Sequence, residues 1–294
     1  MIDNHDTSSN RVALDQAWQN RTTEKQWGFY DSHRRAIERL IVPARRGGRI
    51  CILGAGNCND LDLSWLTEVY REVHLVDLDA TALDVAIHRQ KVDGHSAIHC
   101  HAPFDLTGIA PQVAGWAQSP PTEADIGEAT RKLLEKPPPE WGCFDLVLSP
   151  CVLTQTMNPV RNALKHRYPP SHAARLAIRA ALRLRHLRTI SASLAPGGCG
   201  VLAIDLISSE QFPDLPRIAS DRLDDFMRKF VADRRHYTGL EPAGISAVWR
   251  GNADLGAGLS APQFSAPWLW HLGLRKSFLV YGVTFRKQGL SERT

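Results

Sequence analysis

The segment Ile50-Cys51-Ile52-Leu53-Gly54-Ala55-Gly56 constrains this chain more than any other. A short apolar run ending in Gly-Ala-Gly reads as a buried parallel strand that enters a tight turn. Glycine lets a backbone approach a ligand that a Cβ would push away. A second apolar run, 72–76, ends at Asp77, a carboxylate placed to accept hydrogen bonds from ribose hydroxyls. Together they imply a nucleoside pocket at the carboxyl ends of adjacent strands.

The rest of the chain sets the scale of the fold. With 294 residues, 43% hydrophobic and 22% charged, it can bury one large core or two small ones. A net charge of +4 is too small and too spread to mark a dedicated nucleic-acid binder. No apolar stretch approaches the roughly 20 residues a bilayer crossing needs, so no membrane partner is expected. Residues 1–21 lack the apolar segment of a secretory leader. The six cysteines form no C-x-x-C pair and read as reduced core thiols, which suits a cytoplasmic protein.

Along the chain, residues 1–9 read as unstructured and 14–42 as helical, stopped by Pro43. Strands are expected at 49–53, 72–76, 96–101, 144–148 and 200–206, with helices at 60–71, 81–91 and 171–194 between them. This alternation predicts a doubly wound, mostly parallel sheet. Residues 108–141, rich in proline around a short helix at 122–136, read as an insertion over the sheet or pocket mouth. A second insertion, 208–244, carries a helix at 221–235, and strands at 245–250 and 277–286 close the chain.

The glycine turn also argues by what it lacks. A dinucleotide fingerprint needs a third glycine where this chain has Asn59, and no Gly-Lys-Ser/Thr follows to make a P-loop. A turn without a phosphate grip suits a ligand without a pyrophosphate.

At this point the chain resembles the class I, Rossmann-like S-adenosylmethionine-dependent methyltransferases. The resemblance spans roughly 49–206, more loosely to 286. It rests on Leu53-Gly54-Ala55-Gly56-Asn57, Val76-Asp77-Leu78-Asp79, Phe104-Asp105, Phe144-Asp145-Leu146-Val147-Leu148-Ser149-Pro150 and Leu194-Ala195-Pro196-Gly197-Gly198, in that order. It implies an enzyme of the EC 2.1.1 type with S-adenosyl-L-methionine as cofactor. Gly54, Ala55, Gly56 and Asn57 would pass under the methionine part, and Asp77 would bind the ribose. Leu78 and Phe104 would flank the adenine, Asp105 would meet its amino group, and Ser149, Pro150 and Cys151 would line the methyl-transfer site. Many members carry an acid two residues before the first glycine; here that residue is Ile52. The cofactor's amino group is then left to backbone carbonyls or to another side chain such as Asp60.

Other residues invite chemistry and have blander readings. His33 and Tyr30 lie in an aromatic segment that could close over a sulfonium, and either could act as base; ordinary packing on the sheet is the alternative. His101 could face the pocket mouth. His95, His99 and Cys100 stand near it, but alternation puts His99 and His101 on one strand face and Cys100 on the other, so no metal site is expected. The arginines and His186 of 171–194 read as a solvated basic face. Trp268 and Trp270 read as loop residues, either core or substrate wall.

The expectation is therefore an N-terminal helical lid or extension, 1–47, before a methyltransferase domain, 48–294, built on a seven-stranded sheet whose last strand is antiparallel. The acceptor is expected to be a small molecule. The rivals are an RNA methyltransferase, a nicotinamide-dependent dehydrogenase, and a catalytically silent cofactor-binding or scaffold protein of the same fold.

Overall fold

In the computed structural model, residues 11–41, 47–116, 118–139, 141–233, 238–273 and 276–289 are described. The expected unstructured start at 1–9 and the stop at Pro43 lie outside them.

Five parallel strands form the heart of the molecule: β1 (Arg49–Leu53), β2 (Glu72–Val76), β3 (Ile98–His101), β4 (Phe144–Pro150) and β5 (Leu194–Ser208). Three more follow, β6 (Gln263–Phe264), β7 (Trp268–Leu272) and β8 (Lys276–Arg286). The sheet order is β3-β2-β1-β4-β5-β8-β6, with β7 also paired to β8. Strand β8 runs antiparallel to β5, as expected for the last strand. Among the described residues the sheet has eight strands where seven were expected: β6 and β7, the latter holding Trp268 and Trp270, are added and one expected strand is lost. The expected strand at 245–250 is instead helical (Pro242–Gly251). Pro242 suits a first helical turn, and Ile245, Val248 and Trp249 bury one face at helical spacing.

Chain order explains where a ligand can sit. From β1 the chain moves outward to β2 and β3, then returns across β1 to β4. The C-terminal ends of β1 and β4 therefore flank the point where strand order reverses, and loops diverge there to leave a crevice. Parallel strands need long crossovers. The 108–141 segment supplies the one from β3 to β4, through short helix Ala110–Gly115 and helix Glu123–Glu135, which opens on a Thr122/Asp125 capping box.

The faces are covered separately. Ile50, Ile52 and Leu75 pack under helices Asp31–Ile41, Leu63–Val69 and Ala80–Arg89. Cys51, Leu53 and Val147 pack under Glu123–Glu135, Val152–Leu164 and Ala173–Ser193. Residues 11–41 form two helices, Arg11–Thr23 and Asp31–Ile41, joined by a 3₁₀ turn at Trp27–Tyr30.

Candidate active site

Two adjoining clefts open at the C-terminal ends of β1, β2, β4 and β5. The narrower, of about 890 Å³, lies between Gly54, Asp77 and Leu78 on one side and Phe104, Ile109 and Val113 on the other. The wider, about 2500 Å³ including open solvent, runs from the glycine turn past Pro150 and Cys151 to Asp205 and Trp270. The first helix, Arg11–Thr23, roofs both: Gln16 and Gln19 line each of them.

Asp77 organises the narrow cleft. One carboxylate oxygen accepts from the Gly56 N–H at 2.8 Å and the other from the Asp79 N–H at 2.9 Å. Each oxygen keeps a lone pair, so two further donors can be accepted. Burial, and after it the Asp79 charge, raise the Asp77 pKa, and the backbone N–H groups of Asp79, Gly56 and, more weakly, Leu78 oppose that rise. Gly56, at φ +49°, has a conformation L side chains rarely adopt, and a Cβ there would meet Asn20 Oδ1 at 3.2 Å.

The roof is tied to the glycine turn by side chains. Asn57 Nδ2 donates to the Asn20 carbonyl, and Asn59 Nδ2 donates to the Thr23 carbonyl at 2.8 Å. Asn20 Nδ2 donates to Asp79 at 3.0 Å, while Asp79 caps Ala80–Arg89. The Arg34 and Arg89 guanidinium groups both lie over the Trp27 ring, and they donate to the Asn59 and Asn57 carbonyls respectively. Asn57 thus serves the roof with its side chain, while Gly54, Ala55 and Gly56 bring backbone to the clefts.

The remaining expected cofactor residues divide. Leu78 and Phe104 face the narrow cleft, and Phe104 packs on Trp141 with ring centroids 4.4 Å apart. Asp105 lines it too, but its carboxylate accepts from the Thr107 N–H and hydroxyl and from the Ala110 N–H, leaving one acceptor position. Pro150 and Cys151 line the wide cleft. Ser149 does not: fully buried, it bonds His186 Nε2 at 2.7 Å behind the sheet, because alternation along β4 turns it away.

Two of the three expected bases are elsewhere. His33 is fully buried, stacked on Trp270 with ring centroids 4.3 Å apart. The indole N–H of Trp268 donates to His33 Nδ1 at 3.1 Å, so the imidazole proton sits on Nε2, 4.0 Å from the Cys151 sulfur. Burial holds its pKa down at about 3. A histidine so placed packs the wall and has no free lone pair toward substrate. His101 lies on the sheet face, its Nε2 2.8 Å from His74 Nδ1. Register pairing of β2 with β3 also brings Glu72, His74 and His99 together, partners that sequence proximity does not reveal; Arg49 occupies that group by pairing with Glu72. Tyr30 does line the wide cleft, and burial first, then the Asp60 carboxylate, raises its pKa, so it stands there as a neutral phenol.

Two carboxylates take the place the histidines vacate. Asp60, just past the glycine turn, and Asp205, on β5, both line the wide cleft and are both pushed up to about 7, chiefly by burial. Arg34 and Arg89 oppose the rise at Asp60, and the Thr154 hydroxyl, which donates to Asp205, opposes it there. Asp60 was legible as a candidate from its place after the turn. Asp205 carried no sequence signal beyond an acid inside an apolar strand.

Helix Ala173–Ser193 corrects the solvated-face reading. Arg175, Arg185 and His186 are buried, and Arg185 donates to the Lys136 carbonyl at 2.8 Å. The helix packs against the sheet on one side and Glu123–Glu135 on another, so ten of its 21 positions are buried.

No protein-family model matches the chain, and no curated protein matches it. Solved structures do resemble it. One is the N-methyltransferase NodS from Bradyrhizobium japonicum in complex with S-adenosyl-L-homocysteine, 15% identical, with 97% of this chain and 99% of that one covered at a TM-score of 0.45. Another is a SAM-dependent methyltransferase from Methanosarcina mazei, at 10% identity, 83% and 94% coverage and a TM-score of 0.44. A third is an arsenic(III) S-adenosylmethionine methyltransferase from Chlamydomonas reinhardtii, at 18% identity, 84% and 65% coverage and a TM-score of 0.37. Likenesses this distant carry no functional weight; the Rossmann-like α/β fold is defined by the sheet's own strand order.

Proposed function

We propose that this chain is an S-adenosylmethionine-dependent methyltransferase acting on a small-molecule oxygen, nitrogen or carbon nucleophile. The observation that carries the reading is Asp77, an acid anchored by two backbone N–H groups beside a glycine turn, with acceptor capacity left over the narrow cleft. That is what a ribose diol requires, and Leu78 and Phe104 supply flanking surface for a base.

The same turn suits a dinucleotide poorly. A pyrophosphate is held by the N-terminus of a helix that starts at the turn. Here the next helix begins only at Leu63, and its end is filled by the Asp62 carboxylate, which accepts from the Trp65 N–H.

When bound, the cofactor supplies a methyl group on a sulfonium. Around it, the chain's own residues bind and orient: Asp77 for the ribose, Asp60 for the ammonium that the acid missing at Ile52 would otherwise hold, Tyr30 and Trp270 for the cleft wall. In-line attack gains mainly from alignment and exclusion of water, to which the roofing helix contributes. Asp205 is the candidate base, since a carboxyl group near 7 can both lose and regain a proton at neutral pH.

A ligand that binds only the folded form raises its melting point. S-adenosylmethionine and S-adenosylhomocysteine are expected to do so, and NAD, NADP and ATP not. Stabilisation by NAD alone overturns the reading. Label transfer from methyl-tritiated cofactor into extracted small molecules, against RNA, then tests the acceptor class.

A further inference from the structure

Among the described residues, the wide cleft carries a group of three arginines without a carboxylate bonded to any of them. Arg161, on helix Val152–Leu164, and Arg175 and Arg179, near the start of Ala173–Ser193, all line it. None of the three makes an ion pair among the described residues. Other cations of these clefts and their roof are engaged: Arg34 and Arg89 pin the glycine turn, and Lys276 pairs with Glu210 at 3.0 Å. Arg175 donates once, to the Tyr168 carbonyl at 3.0 Å, while its buried Nε has no partner. Arg179 donates once, to the Thr238 carbonyl at 2.7 Å.

These charges oppose one another. Burial and the neighbouring Arg161 lower the pKa of Arg175; burial, Arg175, Arg183 and Arg161 lower that of Arg179. The carboxylate acting on Arg179 is the buried Glu241, already engaged by the Thr238 hydroxyl and the Gly239 N–H. Guanidinium groups held together, partly dehydrated and short of acceptors, cost stability unless something else offsets them. Their planar donor forks match a carboxylate or a phosphate. Asp60 and Asp205 stand near Cys151, whose thiol both of them push up, and Arg161 lies two turns, about 10 Å, further along the helix from Thr154, which donates to Asp205.

We propose that Arg161, Arg175 and Arg179 form an oxyanion subsite, and that the methyl acceptor is a small molecule bearing a carboxylate or phosphate. The anion would anchor there while the nucleophile reaches Asp60 and Asp205. This rests on the methyltransferase reading above, so cofactor binding is measured separately.

The test is calorimetry on the full chain saturated with S-adenosylhomocysteine, titrated with inorganic phosphate in one arm and malonate in the other. Saturable binding is expected in at least one arm, and which arm responds distinguishes phosphate from carboxylate. Arg179→Gln and Arg161→Gln are each expected to weaken it about tenfold, the loss of one charge-assisted contact, with S-adenosylhomocysteine affinity unchanged. Arg161 is exposed, so its variant remains informative if Arg179→Gln misfolds. No saturable oxyanion binding by the parent protein, or binding by both variants as tight as the parent's, overturns the subsite while leaving the cofactor reading intact. Binding of an unstructured RNA oligonucleotide with a steep salt slope, and of neither small anion, also overturns it in favour of a nucleic-acid contact.

Discussion

The Asp77 carboxylate accepts the Gly56 N–H at 2.8 Å, joining the end of β2 to the turn that follows β1. One side chain thereby fixes the shape of the turn and presents the acceptors that the proposed ribose needs. Asp77→Asn keeps the volume but removes the charge and turns one oxygen into a donor, facing the Gly56 or Asp79 N–H. S-adenosylhomocysteine affinity is expected to fall by about 1–3 kcal/mol, the value of hydrogen bonds to a charged acceptor. Calorimetry reads this directly, and unchanged affinity would remove Asp77 from the site.

Gly54 and Gly28 make a matched pair. Gly54 has φ +70°, and a Cβ there would lie 2.2 Å from Val152 Cγ2; Gly28 has open space around it. Gly54→Ala is expected to destabilise the fold by more than about 1 kcal/mol, whereas Gly28→Ala should change it little. Urea denaturation of both variants checks the difference. Equal midpoints would mean the turn relaxes freely.

The roof should detach before the rest of the molecule does. Asn57 Nδ2 serves both the Asn20 carbonyl and the Thr23 hydroxyl, so Asn57→Ala removes both contacts and leaves the Asn20 carbonyl with the Thr23 hydroxyl, at 3.2 Å, as a side-chain donor. The expected cost is about 1 kcal/mol, confined to that helix. Amide exchange should speed up over 11–23 and stay unchanged in β1, β2 and β4. Uniform acceleration would show that the roof is part of the cooperative core.

Asp60 predicts a pH dependence. Its carboxyl titrates near 7 in the folded chain against 3.8 ordinarily, so the folded state holds the proton more tightly. Between those values the native form binds more protons than the unfolded one, and this group's contribution to stability falls as pH rises. Asp60→Asn should therefore gain stability relative to the parent as pH increases from about 4 to about 7, with a constant difference above. Melting temperatures across that range test it; a difference that does not vary with pH would mean that Asp60 titrates normally.

Much of this was readable from sequence because the signal was local. Strand, turn and acid at 50–56 and 72–77 needed only neighbouring residues, and β1 and β2 carry them to one cleft. The failures are long-range. His33 resembled a base until Trp268, 235 residues away, filled its Nδ1. Asp205 looked like one acid in an apolar strand until the fold set Thr154 against it. Helix Val152–Leu164 went unread because Pro159 interrupts a spacing that Leu153, Met157, Val160 and Leu164 otherwise keep. The segment at 245–250 looked like a strand because its apolar residues suit either period over so short a run.

Cysteine reactivity tests the burial pattern as a whole. Cys100 and Cys143 are exposed, whereas Cys51, Cys58, Cys151 and Cys199 are buried. The thiolate is the reactive form, and burial raises the pKa of each of the four. Cys151 is raised further by Asp205 and Asp60, although it lines the wide cleft. Cys100 is itself raised by partial burial and by Asp84, so Cys143 should react first, Cys100 next, and the remaining four only after denaturation. Timed alkylation followed by peptide mass spectrometry gives the order. Rapid labelling of Cys151 in the native protein would contradict its burial, 2% exposed, at the surface of the wide cleft.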